Sequence, residues 1–433
     1  MVVAASVMHP RRDRTELLSP GFSLDARTIK RLKQLEVRRL WVHHDAAADL
    51  DAILDPGMGG CRRRIGEALK DNFSQMSQQT LTVSGVVGMR QLVMELICEL
   101  TANRKLAALT EQMIGVGGDL FVHGSSVAYL SIVLGLELET YIVQQRNRMD
   151  CERARDLTGL GLGAMLHDIG KLAPPTSAAS QPNRETPDTG EGENQGDADD
   201  TNIDIGRLHL CDVDPDQLER LAKRRGAIRR YLEHPRRGYD MLRDKRAPAS
   251  ATQVVLTHHR LFDGRGFPEV GAKEQERHAG QKVGQGIHVF SRIAAAADTL
   301  DGLLRRHADK PPIAALHTVL GRSYEGWFDP VVRDTLVRRL PPFAIGSRVV
   351  LSDGRPAAVI TPSMLQPCCP TVRLLGEADR NEDGSYPTID LREQRNLAIA
   401  EAEGVDVTPW LFELAEEEPL AVTAAKKPIS SVV

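Results

Sequence analysis

Residues 157–171 read Leu157-Thr158-Gly159-Leu160-Gly161-Leu162-Gly163-Ala164-Met165-Leu166-His167-Asp168-Ile169-Gly170-Lys171. Leu157, Leu160, Leu162, Met165, Leu166 and Ile169 form an apolar pattern that predicts a helix over about 151–171. The end of that helix carries His167 and Asp168, neighbours about 100° apart, with Lys171 one turn beyond His167 on the same face. An imidazole and a carboxylate delivered together suit a divalent ion of the Fe, Mn or Zn kind.

Working outward, His123 precedes this stretch, and His234, His258-His259 and Asp298 follow it. The set uses five of the thirteen histidines, on segments that read as separate helices. An isolated His-Asp pair is more often structural than ligating; a series of this kind is not. More than four such donors is too many for one tetrahedral ion, so a cluster of two or more metals is expected. A carboxylate beside a histidine can bridge two ions, which a lone imidazole cannot. Two ions a few Å apart can activate water and clamp a phosphoryl group for in-line displacement. Lys171 would then neutralise charge on the phosphate.

The rest of the composition sets bounds. A chain of 433 residues can hold two or three domains. Hydrophobic residues at 41% are ordinary for a globular protein, and aromatics at 4% leave a core of Leu, Val, Ile and Ala, which suits packed helices. A net charge of −4 gives no general pull toward DNA or an anionic membrane, so an anionic substrate must be attracted locally. The six cysteines, at 61, 98, 151, 211, 368 and 369, form no CxxC pair and read as reduced thiols. With no signal-peptide pattern and no membrane span of ~18 apolar residues, a cytoplasmic location is expected.

The organisation is mainly α. Residues 1–60 read as a leader (1–20) and a small α/β module, with a helix from Leu24 and a strand at Leu40-Trp41-Val42. The His43-His44 pair after that strand reads as a polar loop. Connecting helices are expected over 61–118 and a helical catalytic domain over 119–340. Within the latter, 181–204 holds eight acidic residues and one basic one, Arg184. Such a stretch buries too little apolar surface to order itself, so a disordered acidic insert is expected at about 175–206. Pro235 is expected in a first helical turn, and Ser250 as a helix cap. From 341 to 400 the pattern changes to a small β appendage: a hairpin of 348–351 with 357–360, then a second pair around 372–375 and 388–391. Residues 401–433 read as a tail.

The order His123…His167-Asp168-Ile169-Gly170-Lys171…His234-Pro235…His258-His259…Asp263-Gly264-Arg265-Gly266-Phe267-Pro268…Asp298 resembles the HD-GYP phosphodiesterases, a branch of the HD-domain metal-dependent phosphohydrolases. The resemblance covers about 115–340. It implies an HD-type helical bundle that hydrolyses cyclic di-GMP to linear pGpG, and on to GMP in some members, at a centre of two or three Fe or Mn ions. By position it implies His123, His167, Asp168, His234, His258, His259 and Asp298 as metal ligands, with Asp168 bridging. Asp119 stands where members with a third metal carry a glutamate. Lys171 matches the phosphate-contacting lysine, and Lys310, Arg265, Gly266, Phe267 and Pro268 match substrate-side positions.

The sequence departs from the family pattern at Ser126, where an arginine is usual, at Phe267 in place of tyrosine, and at His307 in place of arginine. Imidazole cannot reproduce a bidentate arginine contact. Two further readings follow: a phosphohydrolase of another nucleotide, and a cyclic-dinucleotide sensor that meets a protein partner through the Gly-Phe-Pro loop. His9, His209, His278, His288 and His317 match nothing in the series and read as surface or packing residues, with His288 and Arg292 near enough to Asp298 to support it from behind.

Overall fold

The computed structural model describes residues 1–9, 15–35, 37, 40–53, 82–102, 120–173, 209–212, 226–268, 283–394 and 396–415. The acidic insert, Asp119, Cys61, His278, most of the 61–118 connection and residues 416–433 lie outside them.

A short helix, Thr158–Leu166, forms the middle of the molecule, and all nine of its residues are buried. It has no charged residue to turn toward water, and its small residues let neighbours close in. A Cβ on Gly161 would lie 2.6 Å from Val93 Cγ1, and one on Gly163 2.6 Å from Val254 Cβ. Numbering the helices in chain order, α1 is Ala26–Gln34, α2 Val83–Ala102, α3 Leu120–Glu137, α4 Glu139–Gln145, α5 Cys151–Arg155 and α6 this central Thr158–Leu166. They are followed by α7 Gly226–Leu242, α8 Ala249–Thr257, α9 Val289–Arg306, α10 Ile313–Leu320 and α11 Pro330–Arg339. Helices α2, α3, α8 and α9 pack around α6, and α7 packs on α8. One continuous apolar cluster runs through them from Val86 to Leu340. The alanine run Ala294–Ala297 is wholly buried, which lets α9 approach α3 closely.

The single helix expected over 151–171 is instead three pieces. Asp156 adopts an extended conformation, and its side chain accepts from Thr158 N at 2.9 Å, stopping α5 and starting α6. After His167 the chain tightens into a 3₁₀ turn, Ile169–Leu172, packed on α7. Among the described residues no single helix is long and apolar enough to cross a membrane.

The C-terminal sheet has strands β3 Arg348–Leu351, β4 Pro356–Thr361, β5 Thr371–Leu374, β6 Thr388–Asp390, β7 Ile399–Ala402 and β8 Val405–Asp406, after the amino-terminal pair β1 Val7–Met8 and β2 Glu16–Leu18. Its order is β6-β5-β4-β3-β7-β8, antiparallel throughout, with Val349 opposite Ala357 and Val372 opposite Ile389. Both expected strand pairs form, but the sheet runs past the expected boundary at 400. Strand β7 pairs with β3, and Glu403 and Gly404, at φ 56° and 79°, make the two-residue turn into β8.

The described residues among the first twenty are not a free leader. Strand β1 pairs with β2, Val3 bridges Val42, and Val3, Val7 and Leu32 form a small core. Asp25 caps α1 by accepting from Thr28 N at 2.6 Å. The expected Leu40–Val42 strand contributes only the isolated bridge. Arg373 of β5 donates to Ala46 O at 2.8 Å and pairs with Asp49, tying this module to the sheet.

Candidate metal centre

Four of the five imidazoles are aimed by a bond on Nδ1. His167 Nδ1 lies 2.7 Å from Ala164 O, His258 Nδ1 2.9 Å from Val255 O and His234 Nδ1 2.5 Å from Tyr231 O. A carbonyl only accepts, so each Nδ1 must carry the proton, and each Nε2 is left to face inward. His123 Nδ1 lies 2.7 Å from Asp301 Oδ2. Burial opposes charge on Asp301, but the His123 bond and Arg305 outweigh it and hold its pKa below the usual value, so it too accepts.

The His-Pro dipeptide serves this arrangement in a way the sequence did not suggest. Pro235 sits inside α7 rather than in its first turn. Proline has no N–H to return to the carbonyl four residues back. That carbonyl is Tyr231 O, which therefore accepts from His234 instead.

Asp168 divides the inward-facing atoms into two groups. Its Oδ1 lies 3.1 Å from His234 Nε2 and 3.9 Å from His258 Nε2. Its Oδ2 lies 3.4 Å from His167 Nε2 and 3.6 Å from His123 Nε2. Asp298 adds Oδ1 at 3.1 Å from His123 Nε2 and 3.6 Å from His167 Nε2, while its Oδ2 is 3.8 Å from His259 Nδ1. Within each of the sets His123/His167/Asp298 and Asp168/His234/His258/His259, the donor atoms fall within 4.8 Å of one another, and every member is buried.

The donor chemistry fits divalent cations. His234 and His258 present their Nε2 atoms to each other at 3.2 Å, and His123 and His167 do so at 3.1 Å. Burial pushes the pKa of His234, His258 and His259 down, so that group is neutral and offers lone pairs only. Asp168 Oδ1, Asp298 Oδ1 and His259 Nδ1 have no hydrogen-bond donor among the described residues. Buried acceptors facing one another without a donor are costly, and a cation relieves them. On the other side, burial resists charge on His167, but Asp168 and Asp298 raise its pKa to about 10. A proton there neutralises the same carboxylates that a metal would.

The remaining expected site residues are placed as follows. Lys171 is buried and donates to Asp168 Oδ2 at 2.6 Å, with its Nζ 5.3 Å over the Tyr231 ring. Gly170 allows the approach of this turn to α7, since a Cβ there would lie 1.9 Å from His234 O. Phe267 is only 6% exposed and packs its ring 4.6 Å from that of His259, so the Gly-Phe-Pro loop does not offer its ring to a partner. Gly266, at φ 85°, passes against His259 O. Pro268 follows a cis bond, and its carbonyl accepts from Arg260. Arg265 is engaged by Asp263 and by Glu325 O. Lys310 lies with its Nζ 5.4 Å over Trp410 in the C-terminal region. Ser126 is buried, its hydroxyl on Val122 O, and His307 ends α9.

Two expectations need correction. Arg292 does not support Asp298; it reaches away to Asp329, Tyr141 and Gln145, while His288 caps the start of α9. His209 is not a remote surface residue, because its ring stands 4.4 Å from that of His123 and its Nδ1 3.8 Å from Asp298 Oδ1. Asp301 and Tyr231 were also missed. Asp301 was legible as a carboxylate one turn beyond Asp298 on the same helix. His209 carries no motif signal.

The HD-domain family profile matches residues 223–332, a span holding His234, His258, His259 and Asp298. The chain is 24% identical over 369 residues to a cyclic di-GMP phosphodiesterase of Pseudomonas aeruginosa, covering 78% of this chain and 74% of the relative. The chain is thus similar to HD-domain proteins and to a cyclic di-GMP phosphodiesterase. A second relative is a cyclic di-GMP phosphodiesterase response regulator of Xanthomonas campestris pv. campestris. It is 28% identical over 185 residues, covering 41% of this chain and 35% of that relative. Among solved structures, an HDG"Y"P protein from Bdellovibrio bacteriovorus aligns with a TM-score of 0.40 and 14% identity, covering 78% of this chain and 94% of that one.

Proposed function

We propose that this chain is a metal-dependent phosphodiesterase of the HD-GYP kind that hydrolyses cyclic di-GMP to linear pGpG. The observation that carries the reading is Asp168, whose two carboxylate oxygens each face a different pair of imidazole nitrogens. That is the disposition a bridging ligand needs. Both curated relatives bear the name cyclic di-GMP phosphodiesterase, which supports the substrate.

In this reading His123, His167 and Asp298 hold one divalent ion, His234, His258 and His259 hold a second, and Asp168 joins them. Fe or Mn is proposed as the metal, with Asp119 offered to a third ion. Bound ions would supply Lewis-acid polarisation of a phosphoryl oxygen and a water of lowered pKa. The protein's part is to keep four Nδ1 protons turned outward and to place Lys171 beside the bridging carboxylate. From there its ammonium can serve an anionic phosphoryl oxygen. Residues 119–340 are proposed as the catalytic unit and the C-terminal sheet as its appendage.

Anaerobic purification, metal counting and cyclic di-GMP turnover test the proposal, with Asp168→Ala as the comparison. Loss of metal and a fall in turnover of more than about 100-fold are expected, since even an outer partner of a metal ligand is worth 10–100-fold. An unchanged rate in Asp168→Ala would sink the mechanism.

A second reading, a phosphohydrolase of another nucleotide, draws on the substrate side. Lys310 is seated on Trp410, and His307 stands where the family carries arginine. A nucleotide panel in which cyclic di-GMP is inert and another diester is cleaved would favour it. The sensor reading predicts tight cyclic di-GMP binding to metal-loaded protein without turnover.

A further inference from the structure

We propose that His209 is an additional metal ligand, serving the ion assigned to His123, His167 and Asp298; the inference rests on the metal-centre reading above. His209 lies outside the motif series that defines the family resemblance, on a segment that none of those motifs reaches. Its Nδ1 is 3.8 Å from Asp298 Oδ1, a buried oxygen with no hydrogen-bond donor among the described residues. Two donors about 2 Å from one ion stand roughly 3–4 Å apart, so this separation suits a cation shared with Asp298, while His209 itself stands outside the trio of His123, His167 and Asp298 donor atoms that fall within 4.8 Å of one another. The ring stacks edge-on against His123 at 4.4 Å between centroids, and its side chain is only 12% exposed.

The position is built rather than incidental. His209 begins a 3₁₀ turn, Leu210–Asp212, and its own N–H donates to Asp212 Oδ2 at 2.9 Å. Arg306 grips that turn from α9, pairing with Asp212 and donating to Cys211 O at 2.5 Å. Between the metal and this clamp lies Gly302. A Cβ there would stand 3.0 Å from Cys211 Sγ and 3.3 Å from His209 Cβ, so the turn lies flush on the helix. Asp298, Gly302 and Arg306 are spaced four apart on one face of α9. A single helical stripe thus provides the ligand, the seat and the clamp that hold His209 beside the ion.

Cobalt(II) titration of the full chain tests this, read by visible absorption and by metal counted per chain, for wild type, His209→Ala and His209→Gln. Glutamine keeps a hydrogen-bonding group near Asp298 but supplies no imidazole nitrogen. Both variants are expected to bind one cobalt about 10–100-fold more weakly, with a changed absorption spectrum, while the other ion is retained. A far-UV spectrum and cooperative melt like those of wild type establish that each variant is folded. Unchanged stoichiometry, affinity and spectrum in both variants overturn the inference alone. Full recovery by His209→Gln also overturns it, because the role is then hydrogen bonding. A wild-type chain that takes up no cobalt overturns the metal-centre reading and this inference with it.

Discussion

At the scale of single residues, His167 is where a proton and the proposed metal would compete. Burial works against its charge, but Asp168 and Asp298 carry its pKa to about 10, well above the ordinary 6.5. A ligating imidazole must be neutral, so metal uptake at neutral pH expels this proton. Apparent Mn(II) affinity is therefore expected to rise ~10-fold per pH unit from about 6.5 to 9, for one proton released. Calorimetry in buffers of different ionisation heat would count that proton, and a pH-independent affinity would contradict the assignment. The metal-free protein has a linked signature. Because the folded His167 value lies above the unfolded one, its stabilisation is complete below about 6.5 and is lost as pH rises through about 10. His234, His258 and His259 have depressed values and stay neutral in the fold, so their contribution is lost as pH falls below 6.5. Metal-free stability should peak near that pH. Pro235 gives a separate test. In Pro235→Ala an N–H returns to compete for Tyr231 O, releasing the His234 ring. Metal affinity on the His234 side should fall ~10-fold, while the metal-free melting temperature is no lower, since interior proline is itself unfavourable in a helix. A parallel loss of stability and metal would show that proline acts only through packing.

At the scale of elements, the turn Ile169–Leu172 and helix α7 form one unit, because His167-Asp168 and His234 can converge only if the two touch. The contact passes through Gly170, whose missing Cβ leaves room for His234 O. Gly170→Ala should therefore cost ~1–3 kcal/mol through overpacking and lower metal content as well, read by thermal melts and metal counting on the same sample. Wild-type metal content with reduced stability would mean that the turn can move without moving its ligands. These elements also show what a sequence can and cannot convey. The candidate ligands, and their convergence on one buried place, were legible because imidazoles and carboxylates in a fixed order, on an apolar periodicity, have few other uses. The breaks between helices were less so: Asp156 stops one helix through its own side chain, a local competition that periodicity does not register. Pro235 was misplaced for a similar reason, since proline usually marks a first turn and its tolerance here depends on the His234 ring. His209 was invisible because its position comes from Gly302 and Arg306 on a helix about ninety residues later.

At the scale of the whole molecule, the bundle and the C-terminal sheet keep separate apolar clusters that meet through Ile313 of α10, which lies in the sheet's cluster, and are linked by polar contacts as well. The sheet's apolar cluster is distinct from that of the bundle, with Phe412 packed against both. Strand β7 escaped the sequence reading because Ala398-Ile399-Ala400-Glu401-Ala402 alternates too weakly to declare a buried face, and only its pairing with β3 makes it a strand. Arg338 of α11 is one polar link across the junction. It is buried and held by Asp334 Oδ2 at 2.8 Å, and it donates to Leu365 O at 3.2 Å and to Ala415 O at 2.9 Å. Arg338→Met keeps the apolar stem but strips donors from carbonyls on two separate segments. A bond from a charged group is worth ~1.5–3 kcal/mol, and part of this is recovered if the carbonyls reach water. The variant should therefore show an earlier calorimetric transition for the sheet and faster proteolysis after residue 340. Metal content should stay at the wild-type level, because no ligand touches this junction. Loss of metal together with the sheet would instead mean that bundle and sheet unfold as one cooperative unit, and that the appendage stabilises the centre directly.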